Sequence, residues 1–175
     1  MRKVDAGPSP TGIARRLALA LLIATACGGG FRVEVVTLDG VDAAVAARRG
    51  NGILLNFWAI WCPPCVAELP ALAKVAGEFA GRGTLLGVSY DLMIEGAKRE
   101  EVSGQVREFL ARKGLAFDVL VYDALDYDSI NARFSLPGEI PVTLAFDREG
   151  RIVDRQEGPG DEGRFREMMR RALGE

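Results

Sequence analysis

Residues 53–65 read ILLNFWAIWCPPC, and this stretch decides the fold. The apolar run 53–58 has the composition of a strand buried on both faces of a parallel sheet. Cys62 and Cys65 follow it directly, and from Pro63 onward apolar residues recur at helical spacing for several turns. A strand, a C-x-x-C pair and a helix in this order predict a thiol–disulfide redox site.

The C-x-x-C spacing suits thiol exchange, because one thiolate attacks a disulfide and a second thiol resolves the mixed disulfide. We expect Cys62 to be the attacking thiolate, since the free amides and the dipole at a helix start stabilise an anion. Cys65 lies one turn further on and is expected to be the more buried, resolving thiol. Trp61, Pro63 and Pro64 border the pair and are expected to contact the substrate.

Two other uses of C-x-x-C are disfavoured by the residues themselves. Haem attachment needs a His after the second cysteine, where this chain has Val66. A structural zinc site needs four ligands, but the chain has no His and a single further cysteine, Cys27. We therefore expect a redox-active disulfide, no metal and no other cofactor.

The N-terminal segment differs from the rest of the chain. Cationic residues at positions 2, 3, 15 and 16 precede the apolar run 17–26, which ends at Cys27 and is followed by three glycines. This pattern predicts a secretory signal peptide over 1–26, a glycine tether over 27–30 and a globular domain over 31–175. The run is shorter than the ~20 apolar residues that span a bilayer. We expect export to the cell envelope or periplasm.

Residues 24–27, Ala-Thr-Ala-Cys, resemble a bacterial lipobox, in which the cysteine is lipidated and becomes the mature N-terminus. This predicts a membrane anchor through a lipid on Cys27. Ordinary cleavage after Ala26 is the alternative, because Ala-x-Ala is also a signal-peptidase pattern.

Composition narrows the class of protein further. The chain has 175 residues, of which 49% are apolar, which is enough for one well-buried domain. Its formal net charge is −2, and removal of 1–26 makes the remainder more acidic. Nucleic-acid binding is not expected, since it normally requires a basic surface.

Periodicity and turn residues predict alternating strands and helices. Strands are expected at 31–38, 53–58, 84–90, 117–122, 142–146 and 151–156, and helices at 41–49, 63–81, 102–113, 129–134 and 161–173. Asp39-Gly40 is interpreted as a turn, and the last two strands as an antiparallel hairpin. This order is typical of the thioredoxin fold, an α/β architecture with a central mixed β-sheet flanked by helices on both faces.

Residues 56–70, NFWAIWCPPCVAELP, resemble the TlpA/ResA-type thioredoxin-like disulfide reductases of bacterial envelopes. The resemblance covers 31–175, with specific motifs at 56–70 and 140–141. It implies a monomeric reductase of disulfide-bearing client proteins, re-reduced by a membrane thiol electron donor, with a role in cytochrome c maturation.

The same resemblance implies two further site positions. Glu68 lies three residues after Cys65 on the same helical face, and the family pattern implies that it transfers a proton to or from that thiol. The alternative is a first-turn Glu that complements the helix dipole. Ile140-Pro141 matches the cis-proline loop, where the Ile140 backbone is expected to pair with an extended substrate.

Two other functions remain as alternatives. A thiol peroxidase of the peroxiredoxin class usually has a Thr three residues before the reactive cysteine, where this chain has Ala59. A copper chaperone on the same fold typically uses C-x-x-x-C with a His, and this chain has neither.

Overall fold

The computed structural model describes residues 30–123 and 127–175. The predicted signal peptide 1–26, Cys27 and the start of the predicted tether lie outside the described residues, so these assignments stay predictions. Within the described ranges, the helices are all too short or too polar to cross a bilayer.

Six strands form one mixed sheet in the order β1-β4-β3-β2-β5-β6. The strands are β1 (Val33–Val36), β2 (Gly52–Trp58), β3 (Gly83–Ser89), β4 (Asp118–Tyr122), β5 (Val142–Phe146) and β6 (Ile152–Glu157). The first four strands in this order are mutually parallel. β5 is antiparallel to β2, and β6 is antiparallel to β5, which forms the predicted hairpin.

Five α-helices cover the sheet. They are α1 (Leu38–Ala46), α2 (Pro63–Glu78), α3 (Arg99–Lys113), α4 (Asp128–Phe134) and α5 (Glu162–Leu173), and a short 3-10 helix spans Asp91–Met93. Neighbouring residues of β2 point to opposite faces. Trp58 packs against Phe109 of α3 at a centroid distance of 5.7 Å, and Phe57 packs against Phe134 of α4 at 5.6 Å. Helices therefore flank both faces, and the predicted thioredoxin fold is confirmed.

β2 is the strand that carries the chain into the site. Every residue from Gly52 to Trp58 is buried, because β3 pairs on one side, β5 pairs on the other and helices cover both faces. The apolar run therefore stabilises the centre of the sheet, and the only polar side chain within it is Asn56.

α5 packs against α2 and closes the sheet on the side of the site. Its apolar stripe, Phe165, Met168 and Met169, is fully buried, so the two methionines belong to the core. At the surface, Lys74 of α2 forms a salt bridge with Glu162 of α5 at 2.5 Å. Exposed pairs of this kind contribute ~1 kcal/mol or less, so apolar burial holds the two helices together.

The beginning of α1 differs from its prediction. Asp39-Gly40 was expected to form a turn, but both residues lie in the first turn of the helix. A Cβ atom on Gly40 would lie 2.7 Å from the Cβ of Val36. The glycine is therefore required for close packing of α1 on the end of β1, which is a three-dimensional constraint that a local turn pattern does not reveal.

Candidate active site

The two cysteines lie at the N-terminus of α2 and form a disulfide. Cys62 is the N-cap residue, with extended backbone angles, and its Sγ accepts a hydrogen bond from the backbone N–H of Cys65 at 3.3 Å. Pro63 and Pro64 occupy the first helical positions, where their missing N–H groups leave no donor unpaired. One backbone amide of the helix start, that of Cys65, therefore faces the sulfur of Cys62.

The two cysteines differ less in exposure than the sequence analysis predicts. Cys65 is fully buried, as expected, but Cys62 is only 5% exposed. The cause is a close neighbour on the opposite loop, since the carbonyl oxygen of Ile140 lies 3.9 Å from the Sγ of Cys62.

The Ile140–Pro141 peptide bond is cis. Pro141 is buried, and its carbonyl accepts a hydrogen bond from Gly158 N–H at 3.0 Å. Pairing between β5 and β2 begins at Val142, opposite Phe57. Ile140 thus precedes the sheet ladder and presents its backbone beside the cysteines.

The exposed side chains next to the two cysteines in sequence are apolar. Trp61 is 46% exposed, and Pro63 and Pro64 are also exposed. Trp58, by contrast, is fully buried and belongs to the core. The rim of Cys62 is therefore an apolar surface suited to contact with a polypeptide.

Glu68 is a buried carboxyl group, only 3% exposed. Its Oε1 accepts a hydrogen bond from Asn56 Nδ2 at 2.8 Å, and its Oε2 accepts one from the backbone N–H of Gly160 at 2.8 Å. Burial raises the pKa of Glu68 from 4.5 to about 7, and the hydrogen bonds from Gly160 and Asn56 partly oppose the rise. The group can therefore gain or lose a proton near neutral pH.

Asn56 connects Glu68 to the strand that follows the cis-proline. Its Nδ2 also donates to Thr143 Oγ1 at 3.0 Å, and the two residues are directly opposite each other in the β2–β5 ladder. The Oδ1 of Asn56 has no hydrogen-bond partner among the described residues. Four segments thus meet at one polar cluster inside the core: β2, α2, β5 and the turn before α5.

Gly160 must be a glycine for this cluster to form. A Cβ atom at this position would lie 2.6 Å from the Phe165 ring. Without a side chain, the backbone comes close enough for its N–H to reach Glu68. The sequence carries no local signal for this contact, which joins residues 92 positions apart.

A second buried carboxylate supports the loop that leads to the cysteines. Asp91 accepts hydrogen bonds from the backbone N–H of Ile60 at 3.0 Å and from Ser89 Oγ at 2.7 Å. Burial raises the pKa of Asp91, and the bonds from Ser89 and Ile60 oppose the rise. Asp91 could not be predicted from the sequence, because the 3-10 helix that it begins is too short to show a periodic pattern.

A thioredoxin fold with a disulfide at the N-terminus of α2 and a cis-proline beside it defines the class of thioredoxin-like redox proteins. Comparisons with known proteins place the chain within that class. A sequence model of the AhpC/TSA family matches residues 31–155. The chain therefore belongs to the AhpC/TSA family, and its relatives confirm the resemblance to the TlpA/ResA type.

Two relatives and one solved structure are informative. The chain is 33% identical to thioredoxin-like protein YneN of Bacillus subtilis, over 67% of this chain and 63% of the relative. It is 30% identical to thiol-disulfide oxidoreductase ResA of Halalkalibacterium halodurans, over 75% of this chain and 68% of the relative. The chain thus spans about two thirds of the length of these relatives.

The solved structure is a thiol:disulfide interchange protein of the thioredoxin family from Chlorobium tepidum. It aligns with a TM-score of 0.59 at 22% identity, over 74% of this chain and 84% of that one. At this identity the likeness supports the fold.

Proposed function

We propose that this protein is an exported thiol–disulfide oxidoreductase that reduces disulfides of client proteins through Cys62 and Cys65. The observation that carries the proposal is the Cys62–Cys65 disulfide at the N-terminus of α2, with the Ile140 carbonyl beside the first sulfur. The similarity to a thiol-disulfide oxidoreductase supports the same activity.

The reaction follows from the order of the two sulfurs. In the reduced protein, the thiolate of Cys62 attacks a client disulfide, so that one client sulfur leaves as a thiolate and a mixed disulfide forms. The thiolate of Cys65 then attacks the Sγ of Cys62, which reforms the internal disulfide and releases the second client thiolate. Two electrons pass to the client, and its two sulfurs take up protons.

Glu68 is proposed to accept the proton that Cys65 loses before it attacks. A carboxyl group with a pKa of about 7 is well placed to exchange a proton at neutral pH. Its burial argues against the alternative of a surface Glu that only complements the helix dipole. Glu68→Gln is expected to slow exchange by ~100-fold, the low end for a general base, in stopped-flow reduction of a model disulfide. Superimposable rate–pH profiles would remove Glu68 from the mechanism.

The remaining parts of the proposal concern the setting of the enzyme. We propose that the protein acts as a monomer in the cell envelope, tethered by a lipid on Cys27, and that a membrane thiol donor re-reduces it. The disulfide is proposed to be the sole redox group, without a metal or another cofactor. Apocytochrome c, with its C-x-x-C-H haem-attachment pair, is the proposed client.

A peptide assay tests both the activity and the client. The reduced protein is mixed with an oxidised Cys-x-x-Cys-His peptide or with an unrelated disulfide peptide, and the thiols that appear on the peptide are measured after its separation from the protein. Cys62→Ser is expected to abolish the reaction, whereas the matched Cys27→Ser variant retains it. Equal rates with both peptides would contradict the cytochrome c assignment, and activity in the Cys62→Ser variant would contradict the reductase.

The same preparation discriminates the two alternative functions. A thiol peroxidase would be oxidised rapidly by hydrogen peroxide, and a copper chaperone would bind Cu(I) tightly. Ala59 is fully buried and offers no hydroxyl near the cysteines, so we expect slow oxidation by peroxide. Peroxide oxidation faster than client exchange would favour the peroxidase.

A further inference from the structure

Asn56 presents an unsatisfied acceptor in the centre of the sheet. Its side chain is fully buried, yet its Oδ1 has no partner among the described residues. Buried polar side-chain atoms are nearly always hydrogen-bonded, and an unpaired one lowers stability. The lack of a partner for this oxygen therefore requires a physical explanation.

The contacts of Glu68 determine which of its oxygens can carry a proton. The backbone N–H of Gly160 can only donate, so Oε2 must remain an acceptor in both protonation states. A carboxyl hydroxyl is a weaker acceptor than a carbonyl oxygen, so this fixed donor favours the proton on Oε1, the oxygen that faces Asn56. In this structure Nδ2 of Asn56 donates to Oε1, which is the arrangement for a charged carboxylate.

Protonation of Glu68 turns Oε1 from a hydrogen-bond acceptor into a donor. The new O–H requires an acceptor, but the Nδ2 group in front of it is a donor. The unused Oδ1 belongs to the same amide, and a half turn of that amide brings it to Oε1. Thr143 does not oppose the turn, because its hydroxyl can accept from Nδ2 or donate to Oδ1.

We propose that Asn56 is a positioning residue for the proton step, and that its amide inverts when Glu68 becomes protonated. The side chain thereby holds the carboxyl group at one place in both protonation states. The inference rests on the proposed role of Glu68 in thiol exchange. It adds a second residue to that role and assigns a purpose to the unpaired Oδ1.

Few charged groups surround Glu68 in the described part of the chain. On its own helix the nearest titratable group is Cys65, which does not titrate in the disulfide. α5 brings Asp161 and Glu162, of which Asp161 caps its own helix and Glu162 pairs with Lys74. The contacts from β2 and β5 are neutral. Asp91 is a second buried carboxyl group whose pKa burial raises, so the titration has to be followed at the carboxyl carbon of Glu68 itself.

Nuclear magnetic resonance of the oxidised protein tests the inversion directly. The carboxyl carbon of Glu68 and the Nδ2 protons of Asn56 are followed as the pH is raised through about 7. We expect the cross-relaxation between those protons and the Thr143 side chain to be strong above the Glu68 pKa and to weaken severalfold below it. Cross-relaxation that persists unchanged through the titration would overturn the inversion. The disulfide stays intact, so this result does not depend on reductase activity.

Two variants test the positioning role. Asn56→Leu removes the bond to the carboxylate and the weaker bond to the neutral carboxyl group, so we expect the ionisation constant of Glu68 to fall severalfold. The rate–pH profile of exchange should move to higher pH accordingly. In a Glu68→Gln background the same Asn56→Leu change should leave the pH dependence unaltered, whereas a purely structural role would act in both backgrounds. An unchanged ionisation constant in Asn56→Leu would overturn the proposal. If Asn56→Leu does not fold, the measurement on the unmodified protein still decides.

Discussion

Replacing Glu68 by Gln should remove a pH dependence of folding stability. Burial raises the pKa of this carboxyl from 4.5 to about 7 in the folded protein, whereas in the unfolded chain it titrates near its ordinary value. Between these two values the native state binds more protons than the unfolded state, so stability falls as the pH rises. The contribution of Glu68 is fully present below pH 4.5 and is lost as the pH passes about 7.

The magnitude follows from the two pKa values. Each tenfold change in an ionisation constant corresponds to ~1.4 kcal/mol, so the rise from 4.5 to about 7 corresponds to ~3 kcal/mol. Gln retains the shape of the side chain. Its carbonyl can accept the Gly160 N–H, and its NH₂ group can donate to the Oδ1 of Asn56 once that amide inverts. We therefore expect little loss of packing in the variant.

Urea unfolding of the oxidised protein at pH 5, 6, 7 and 8 measures this effect. The free energy of unfolding should fall by ~3 kcal/mol between pH 5 and 8 in the unmodified protein relative to Glu68→Gln. Glu139→Gln provides a matched control, because Glu139 is exposed beside the cis-proline loop. The control should follow the unmodified protein at every pH. Parallel curves for the unmodified protein and Glu68→Gln would refute the reasoning.

Three further predictions concern the cysteines and the loop that carries them. Cys65→Ser should accumulate a mixed disulfide between Cys62 and a client, detected by mass spectrometry, and client bound to Cys65 in Cys62→Ser would reverse the two roles. Cys27→Ala should release the protein from membranes or leave its signal uncleaved, and a free thiol on native Cys27 would contradict lipidation. Asp91→Ala should lower the free energy of unfolding by about 1–3 kcal/mol, because the buried Ser89 hydroxyl and the partly buried N–H of Ile60 lose their acceptor. Asp91→Asn keeps an acceptor oxygen and should restore much of that loss in the same urea measurement, so equal stabilities of the two variants would argue against the bond.

The elements around the cysteines were predictable because their signals are local. The apolar run of β2 and the helical period of α2 lie within 30 residues of each other and do not depend on the rest of the chain. The hairpin of β5 and β6 follows from a short connection between two strand patterns. In the structure the boundaries of these strands change by one residue at most, and α2 ends at Glu78, three residues before the predicted end.

The polar cluster inside the core could be predicted only in part. Asn56 is a polar residue inside an apolar strand, which signals a buried hydrogen bond but not its partner. Thr143 meets Asn56 through the register of the β2–β5 ladder, and Gly160 meets Glu68 from the turn before α5, 92 positions away. The contact of Asp91 could not be predicted either, because Asp91 follows β3 and its partner Ile60 lies in the loop between β2 and α2. Long-range hydrogen bonds of this kind follow from the assembled sheet, and the linear pattern contains no trace of them.

Trp58 and Trp61 are the two tryptophans of the chain, and their opposite environments make them separate optical reporters. The indole of Trp58 is sealed among Phe109 and Phe117, so its emission wavelength shows whether the core is intact. The indole of Trp61 is about half exposed, and Trp61 directly precedes Cys62 in the sequence. A disulfide quenches the fluorescence of a neighbouring indole by accepting an electron from its excited state. Reduction of the disulfide should therefore raise the fluorescence intensity of Trp61, whereas unfolding should shift the emission wavelength of Trp58. One fluorescence spectrum thus distinguishes reduction from unfolding without an added label.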